Sequence, residues 1–188
     1  MPGSLITRTR IVLARVSRIA ALAGLYALLL TAILVSADVS IRKLFGIAFV
    51  GADELAGYAL AMATSWALSF AFFQGAHIRV NVLHMNLKPI PKAWLDLLAV
   101  VAMAALIGLL AWQVGQLTFE SWTFDDVSNT PLRVPLWIPQ TIFLAGIILF
   151  FLSAIVVLLE SAFLLRAGKH EELIALVDES DDVGGYLS

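Results

Sequence analysis

The side chains in this sequence best suited to bind a metal or to transfer a proton are two histidines, His77 and His84. They lie seven residues apart in the stretch GAHIRVNVLH. If that stretch is helical, the two histidines are separated by about 10 Å along the helix axis. A zinc ion holds each histidine nitrogen at about 2.0–2.1 Å, and a helical pair that shares one ion needs a spacing of four residues. The spacing therefore argues against a metal site.

The same stretch instead predicts an amphipathic helix over residues 76–88. Its polar face would carry His77, Asn81, His84 and Lys88, and its apolar face Ile78, Val82 and Met85. The alternation from Ala76 to Val82 also fits a strand, but an isolated strand at a membrane leaves its backbone groups without hydrogen bonds. We expect a helix in the cytoplasmic interface of a membrane, with Arg79 near anionic head groups and Pro89 and Pro91 ending the helix.

Composition places the chain in a lipid environment. Of its 188 residues, 61% are hydrophobic and 14% are charged, whereas soluble domains average roughly 45–50% apolar and about 25% charged residues. The net charge of −2 gives no basic surface for nucleic acid, and the absence of cysteine excludes disulfides and thiolate chemistry.

Four uncharged windows are long enough to cross about 30 Å of hydrocarbon as helices. They are residues 19–37, 55–73, 97–119 and 138–159. We predict an all-α integral membrane protein with four transmembrane helices. A second interfacial helix, on the outer side, is expected around Ile41–Phe49.

Positive charge predicts the orientation, because loops rich in lysine and arginine stay in the cytoplasm. Of the 12 basic residues, one side of the membrane would hold Arg8, Arg10, Arg15, Arg18, Arg79, Lys88, Lys92, Arg166 and Lys169. Both termini should therefore be cytoplasmic. The chain divides into an N-terminal segment (1–18), a transmembrane domain (19–166) and an acidic tail (167–188).

The N-terminus allows a second interpretation, as a signal peptide cleaved after Val35-Ser36-Ala37. Signal peptides carry an apolar region of about 7–15 residues. The apolar run here is 19 residues long, so we expect it to be kept as a true span.

The middle of every predicted span lacks ionisable side chains, which usually mark ion paths and substrate sites. The acids lie near span ends, where interfacial water should reach them; they are Asp38, Glu54, Asp96, Glu120 and Glu160. No internal repeat is visible, although many transporters are built from repeats. No histidine lies within a span to ligate haem, and the common catalytic motifs are absent. We expect neither a cofactor nor an enzyme.

Tryptophans mark the ends of the spans, as interfacial anchors do. Trp137 falls at the start of the fourth span, with Trp122 and Trp112 near the same side and Trp94 at the opposite end of the third. Trp66 lies mid-span, where it either contacts a partner or packs against a neighbouring helix, and packing is the favoured interpretation. Pairs of small residues four apart, such as Ala20 and Gly24, indicate close helix packing without saying which helices meet.

Three motifs in order resemble the small membrane subunit of tripartite ATP-independent periplasmic (TRAP) transporters. The first is Asp53-Glu54-Leu55 at the start of the second span. The second is FQGAHIRVNVL at residues 73–83, where Asn81 replaces an aspartate that is common in the family. The third is TPLRVPLW at residues 130–137. The resemblance covers roughly residues 19–166.

The resemblance implies a bacterial inner-membrane protein that packs against a large membrane subunit. That large subunit would hold the elevator-type transport domain and the sodium and substrate sites. A periplasmic binding protein would deliver an organic acid. The contacts it implies are His77, Arg79 and Asn81 at the cytoplasmic interface, and Glu54 and Arg133 on the outer face, where the large subunit or the binding protein could be met. Trp66 and Trp137 are further candidate contacts. The alternatives are a stand-alone small transporter or channel and a membrane-bound enzyme or electron carrier.

Overall fold

The computed structural model describes residues 2–47, 49–74 and 89–169, together with residues 172 and 176. Those residues form four helices: α1 (Pro2–Phe45), α2 (Ala52–Phe73), α3 (Pro89–Thr123) and α4 (Trp137–Arg166). Each helix is long and apolar enough to cross a membrane. Over this part of the chain the only β-type pairing is one isolated bridge between Val127 and Pro135. The prediction of an all-α membrane protein with four spans is confirmed.

α1 is much longer than the span predicted within it. Its 44 residues correspond to about 66 Å, roughly twice the hydrocarbon thickness. The segment before residue 19 is therefore helical and continuous with the span. The expected separate helix around Ile41–Phe49 is wrong, because no glycine or proline lies between the predicted span and Gly46, and α1 continues to Phe45. Gly46 ends the helix with a positive φ of 70°.

α3 also extends beyond its predicted span at both ends. It begins at Pro89, so Pro89 and Pro91 lie in its first turn, where proline is tolerated because the N–H groups there have no helical partner. α4 begins at Trp137, one residue before the expected start. The predicted interfacial helix over residues 76–88, and with it His77, Arg79 and Asn81, lies outside the described residues, as does most of the acidic tail.

Three of the helices, α1, α2 and α4, pack together as a three-helix group, and α3 lies at the edge of this group. α1 packs along α2, α2 packs along α4, and α1 also contacts α4. α3 packs extensively on α4, where Ile107, Ile147 and Phe150 form a buried apolar cluster. The outward surfaces of α1 and α3 are rich in exposed large hydrophobic side chains, as a bilayer-embedded protein requires.

Candidate functional site

Glu54 ties the outer loop to the start of α2. Its carboxylate accepts a hydrogen bond from the Tyr58 hydroxyl at 2.5 Å and another from the Thr130 hydroxyl. Thr130 in turn contacts the Ser128 hydroxyl at 2.9 Å. An acid in the first turn also complements the positive end of the helix dipole. Glu54 therefore serves inside the chain, joining α2 to the α3–α4 loop.

The α3–α4 loop is held in one shape by its own hydrogen bonds. The Ser128 N–H donates to the Val134 carbonyl at 2.9 Å, and the Arg133 N–H donates to the Thr130 carbonyl at 3.1 Å. Arg133 takes a left-handed backbone conformation, with φ 46°, at the tip of this turn, and it is exposed. The loop thus holds the backbone of Arg133 in place, and Thr130 links this turn to Glu54.

A second acid fixes the connection between α1 and α2. Asp38 is only 4% exposed, so it does not reach interfacial water as expected. One of its oxygens accepts from Arg42 Nη2 and the other from the Phe49 N–H, each at 2.5 Å. The carboxylate is compatible with burial because both oxygens have donors. Asp38 thereby closes the α1–α2 loop.

Glycines allow the three-helix group to pack closely. A Cβ on Gly24 of α1 would lie 2.8 Å from Ala63 Cα of α2. A Cβ on Gly146 of α4 would lie 2.4 Å from Trp66 Cδ1 and 2.8 Å from the carbonyl carbon of Ser65. Helix backbones in membranes meet at small residues for this reason. A Cβ at either glycine would collide with α2, so these close contacts between helices depend on glycine.

Trp66 packs between α2 and α4. Its indole N–H donates to the Ile142 carbonyl at 2.9 Å, and Gly146 leaves the ring room to approach that carbonyl. This geometry agrees with the packing interpretation of Trp66. Trp137, at the start of α4, makes an edge contact with Trp122 at the end of α3, with ring centroids 4.7 Å apart. A contact of either tryptophan with a partner remains a prediction.

A chain of three serine hydroxyls crosses the three-helix group. Ser17 of α1 and Ser69 of α2 lie 2.6 Å apart, and Ser69 and Ser153 of α4 lie 2.7 Å apart. Ser153 also donates to the Leu149 carbonyl. All three serines are fully buried. Because lipid offers hydroxyls no hydrogen-bond partner, this serine chain favours the one register of the three helices in which its hydrogen bonds form.

Near the ends of the chain, an ion pair joins α1 to α4. Arg10 Nε lies 3.1 Å from one oxygen of Glu160, and the Thr7 hydroxyl donates to the other at 3.1 Å. The Arg10 and Glu160 side chains are 23% and 13% exposed. Removing one partner of such a pair leaves a charge poorly solvated. The pair therefore holds the N-terminal part of α1 against α4.

Sequence reasoning selected Glu54 and Arg133, and the structure brings them close through Thr130. It missed Tyr58, although the spacing of four residues from Glu54 on a helix was visible. It also missed the serine chain, because the partners of Ser69 lie 52 and 84 residues away. Within the described ranges, no three histidine, cysteine or acidic residues are grouped to hold a metal ion.

Comparison with known proteins connects this arrangement to one family. The family model described as "Tripartite ATP-independent periplasmic transporters, DctQ component" matches residues 30–164. This match covers more than two thirds of the chain and includes α2, α3 and nearly all of α4. No curated protein and no solved structure matches the chain.

Proposed function

We propose a scaffolding role for this chain, which belongs to the DctQ component family of tripartite ATP-independent periplasmic transporters. It is the small permease subunit of such a transporter, a multi-pass membrane protein and not an enzyme. In the proposed role, its helices form a fixed body in the bacterial inner membrane. This body anchors the scaffold of a large elevator-type subunit that holds the ion and substrate sites.

The observation that carries the proposal is the use of the polar groups within the helices. Asp38 binds Arg42, Glu160 pairs with Arg10, and the serine chain bonds internally. A transport site instead needs polar groups left open to ions and substrate. Within α1, α2 and α4, the ion pair and the serine chain hold one helix against another, and Asp38 closes the α1–α2 loop. This suits a part that stays fixed while its partner moves.

The remaining features of the cycle follow from the family and are part of the proposal. A periplasmic binding protein delivers an organic acid to the outer face, and sodium drives its uptake through the large subunit. Both termini of the small subunit lie in the cytoplasm. The interfacial segment with His77, Arg79 and Asn81 anchors that side in the head groups.

One experiment separates the scaffold from a stand-alone transporter. The chain is expressed with its large subunit and binding protein, purified through an affinity tag, and reconstituted into liposomes under a sodium gradient. We expect the large subunit to co-purify, the complex to accumulate substrate, and the small subunit alone to be inactive. Sodium-driven accumulation by the small subunit alone would overturn the scaffold and favour the stand-alone transporter.

Arg133 is the residue best placed to meet a partner at the outer face. Its loop backbone is fixed through Glu54 and Thr130, so no loop rearrangement adds to the conformational cost of a contact there. We expect Arg133→Glu to lower uptake by about three- to tenfold, because charge reversal at an interface slows association. Membrane insertion should be unchanged.

Lys169→Glu provides the matched control for Arg133→Glu. Lys169 is also exposed and makes an ion pair with Glu172, but it lies beyond the opposite end of α4. The same change of charge there should leave uptake within about twofold of the wild type, since exposed pairs contribute little. Equal loss of uptake in both variants would remove Arg133 from the interface.

A further inference from the structure

α3 is the helix least covered by the rest of the chain. Among the described helices it packs extensively on α4 alone. Its outward side carries large apolar residues, including Leu98, Leu106, Leu109 and Leu117, each more than half exposed. The same side also carries two amides, Gln113 and Gln116, which are exposed as well. The question is what surrounds these amides in the membrane.

The tryptophans at the two ends of α3, Trp94 and Trp122, indicate the depth of the amides, and Trp112, which was expected to be an interfacial anchor, lies about 15 Å inward from Trp122 on this scale. Trp94 and Trp122 are 28 residues apart, or about 42 Å, which is the thickness of a bilayer with its head groups. On that scale Gln113 and Gln116 lie about 13 and 9 Å inward from Trp122. The head-group layer accounts for only about 5–7 Å. Both amides therefore lie at the depth of the hydrocarbon.

The packing of α3 on α4 shows which residues lie beside the amides at this depth. Trp122 contacts Trp137, and a Cβ added at Gly108 would lie 2.9 Å from the Phe151 ring. Residue numbers therefore fall along α3 as they rise along α4, so the two helices are antiparallel. Gln116 and Gln113 then lie level with the stretch from Phe143 to Gly146 on α4, which continues into an apolar run. The outward residues of α4 just beyond it, Ile148 and Leu152, are apolar.

Lipid is a poor environment for these amides. Moving an amide from water to hydrocarbon without a hydrogen-bond partner is unfavourable, and acyl chains offer neither donors nor acceptors. Beside the amides is a groove of about 390 Å³ lined by Ala111, Trp112, Gly115 and Gln116. A Cβ on Gly115 would meet nothing within 4 Å, so no contact inside the chain requires this glycine. A groove next to two amides suits a closely packed polar helix.

We infer that this face of α3 is the surface on which a transmembrane helix of the large subunit packs, with Gln113 and Gln116 hydrogen-bonded to polar groups of that helix. The inference rests on the proposed function and names its docking surface. A second copy of this chain fits less well, because Glu120 is exposed on the same face. Two copies related by an axis along the membrane normal would bring their Glu120 carboxylates together, and like charges repel.

Photo-crosslinking in the intact complex tests the surface. p-Benzoylphenylalanine is introduced at Gln113 or Gln116, and at Leu30 of α1 as the control, since Leu30 is 68% exposed on an apolar face. We expect both α3 positions to crosslink to the large subunit and Leu30 not to do so. A crosslink to a second copy of the 20.4 kDa chain, or to the large subunit from Leu30 alone, would overturn the inference.

Co-purification separates this inference from the proposed function. If the large subunit co-purifies but the α3 positions do not crosslink to it, the scaffold role stands and the docking surface is wrong. If the large subunit does not co-purify with the wild-type chain, both are wrong.

A pair of glycine variants provides a readout independent of crosslinking. Among the described residues, a Cβ would meet nothing within 4 Å at either Gly115 of α3 or Gly57 of α2, so the two sites form a matched pair for substitution. Gly115→Leu should fill the groove and reduce the co-purified large subunit by about fivefold or more, since close helix approach would be lost. Gly57→Leu should reduce it less than twofold. Equal effects would overturn the inference.

Discussion

The two sides of α4 show different ways of holding helices together in a membrane. On one side, α1 and α2 meet α4 through glycines, serine hydroxyls, an indole N–H and an ion pair. On the other side, the contact of α3 with α4 includes large apolar side chains such as Ile107 and Ile147, in a cluster that Phe72 of α2 also reaches. Lipid tails are as apolar as leucine, so apolar burial alone does not drive helices together there.

Directional hydrogen bonds and close backbone contacts favour one register for α1, α2 and α4. Apolar contacts, such as those between α3 and α4, are less directional. The serine hydroxyls and the ion pair of the three-helix group bond within it, whereas the Gln113 and Gln116 amides of α3 face outward. Four substitutions test this contrast, and the one expected to destabilise the protein most comes first.

Gly146→Ala should have the largest effect. The added Cβ meets the backbone of Ser65 at 2.8 Å, and backbone cannot move aside as a side chain does. α2 and α4 must separate, and the bond from Trp66 to the Ile142 carbonyl is lost. We expect the free energy of unfolding in detergent to fall by about 2–3 kcal/mol. Thermal unfolding followed by tryptophan fluorescence measures it, with Gly57→Ala as a control that should be neutral or slightly stabilising. Equal stability of Gly146→Ala and wild type would contradict the close packing.

Arg10→Ala should have the next largest effect. It leaves Glu160 with only the Thr7 hydroxyl, and we expect a loss of about 2 kcal/mol, below the roughly 3–5 kcal/mol of a fully buried pair. The double variant Arg10→Met with Glu160→Leu should recover most of the loss, because no unpaired charge remains. If the single and double variants are equally unstable, the ion pair is not the reason for the loss.

Ser69→Ala removes the central hydroxyl of the serine chain. Both of its bonds are lost, to Ser17 and to Ser153, and hydrogen bonds between membrane helices contribute about 0.6 kcal/mol each on average. We expect a loss of about 1 kcal/mol in the same unfolding assay. Ser17→Ala, which loses one bond, should cost about half as much. If Ser17→Ala lowered the free energy of unfolding more than Ser69→Ala did, the hydrogen bonds of the serine chain would not be the source of this stability.

Gly108→Ala should have the smallest effect, although it is the same substitution as Gly146→Ala. Its Cβ would lie 2.9 Å from the Phe151 ring, and the end of a side chain can shift. The better helix propensity of alanine, about 1 kcal/mol, offsets most of the cost. We expect a net change below about 1 kcal/mol. A loss as great as that of Gly146→Ala would mean that both sides of α4 are equally rigid.

Long-range partners were the part of the candidate site that the sequence did not reveal. Glu54 and Arg133 stand out as charges beside apolar runs, so both were predicted as outer-face residues. That Thr130 joins them depends on the shape of a loop 76 residues further along the chain. The small residues showed a similar limit: Gly24 and Gly108 pack against neighbouring helices, whereas Gly57 and Gly115 face open space. Spacing along a helix does not reveal which face meets another helix.

The four membrane-spanning helices could be predicted from the amino-acid sequence, because the energy of apolar transfer depends on composition over about 20 residues and needs no knowledge of neighbours. The order of the motifs also indicated the family. The membership of the three-helix group, the burial of Asp38 and the outward position of the Gln113 and Gln116 amides became visible only in the folded chain. These outcomes depend on contacts between residues far apart in the chain, and such contacts exist only once the helices have packed.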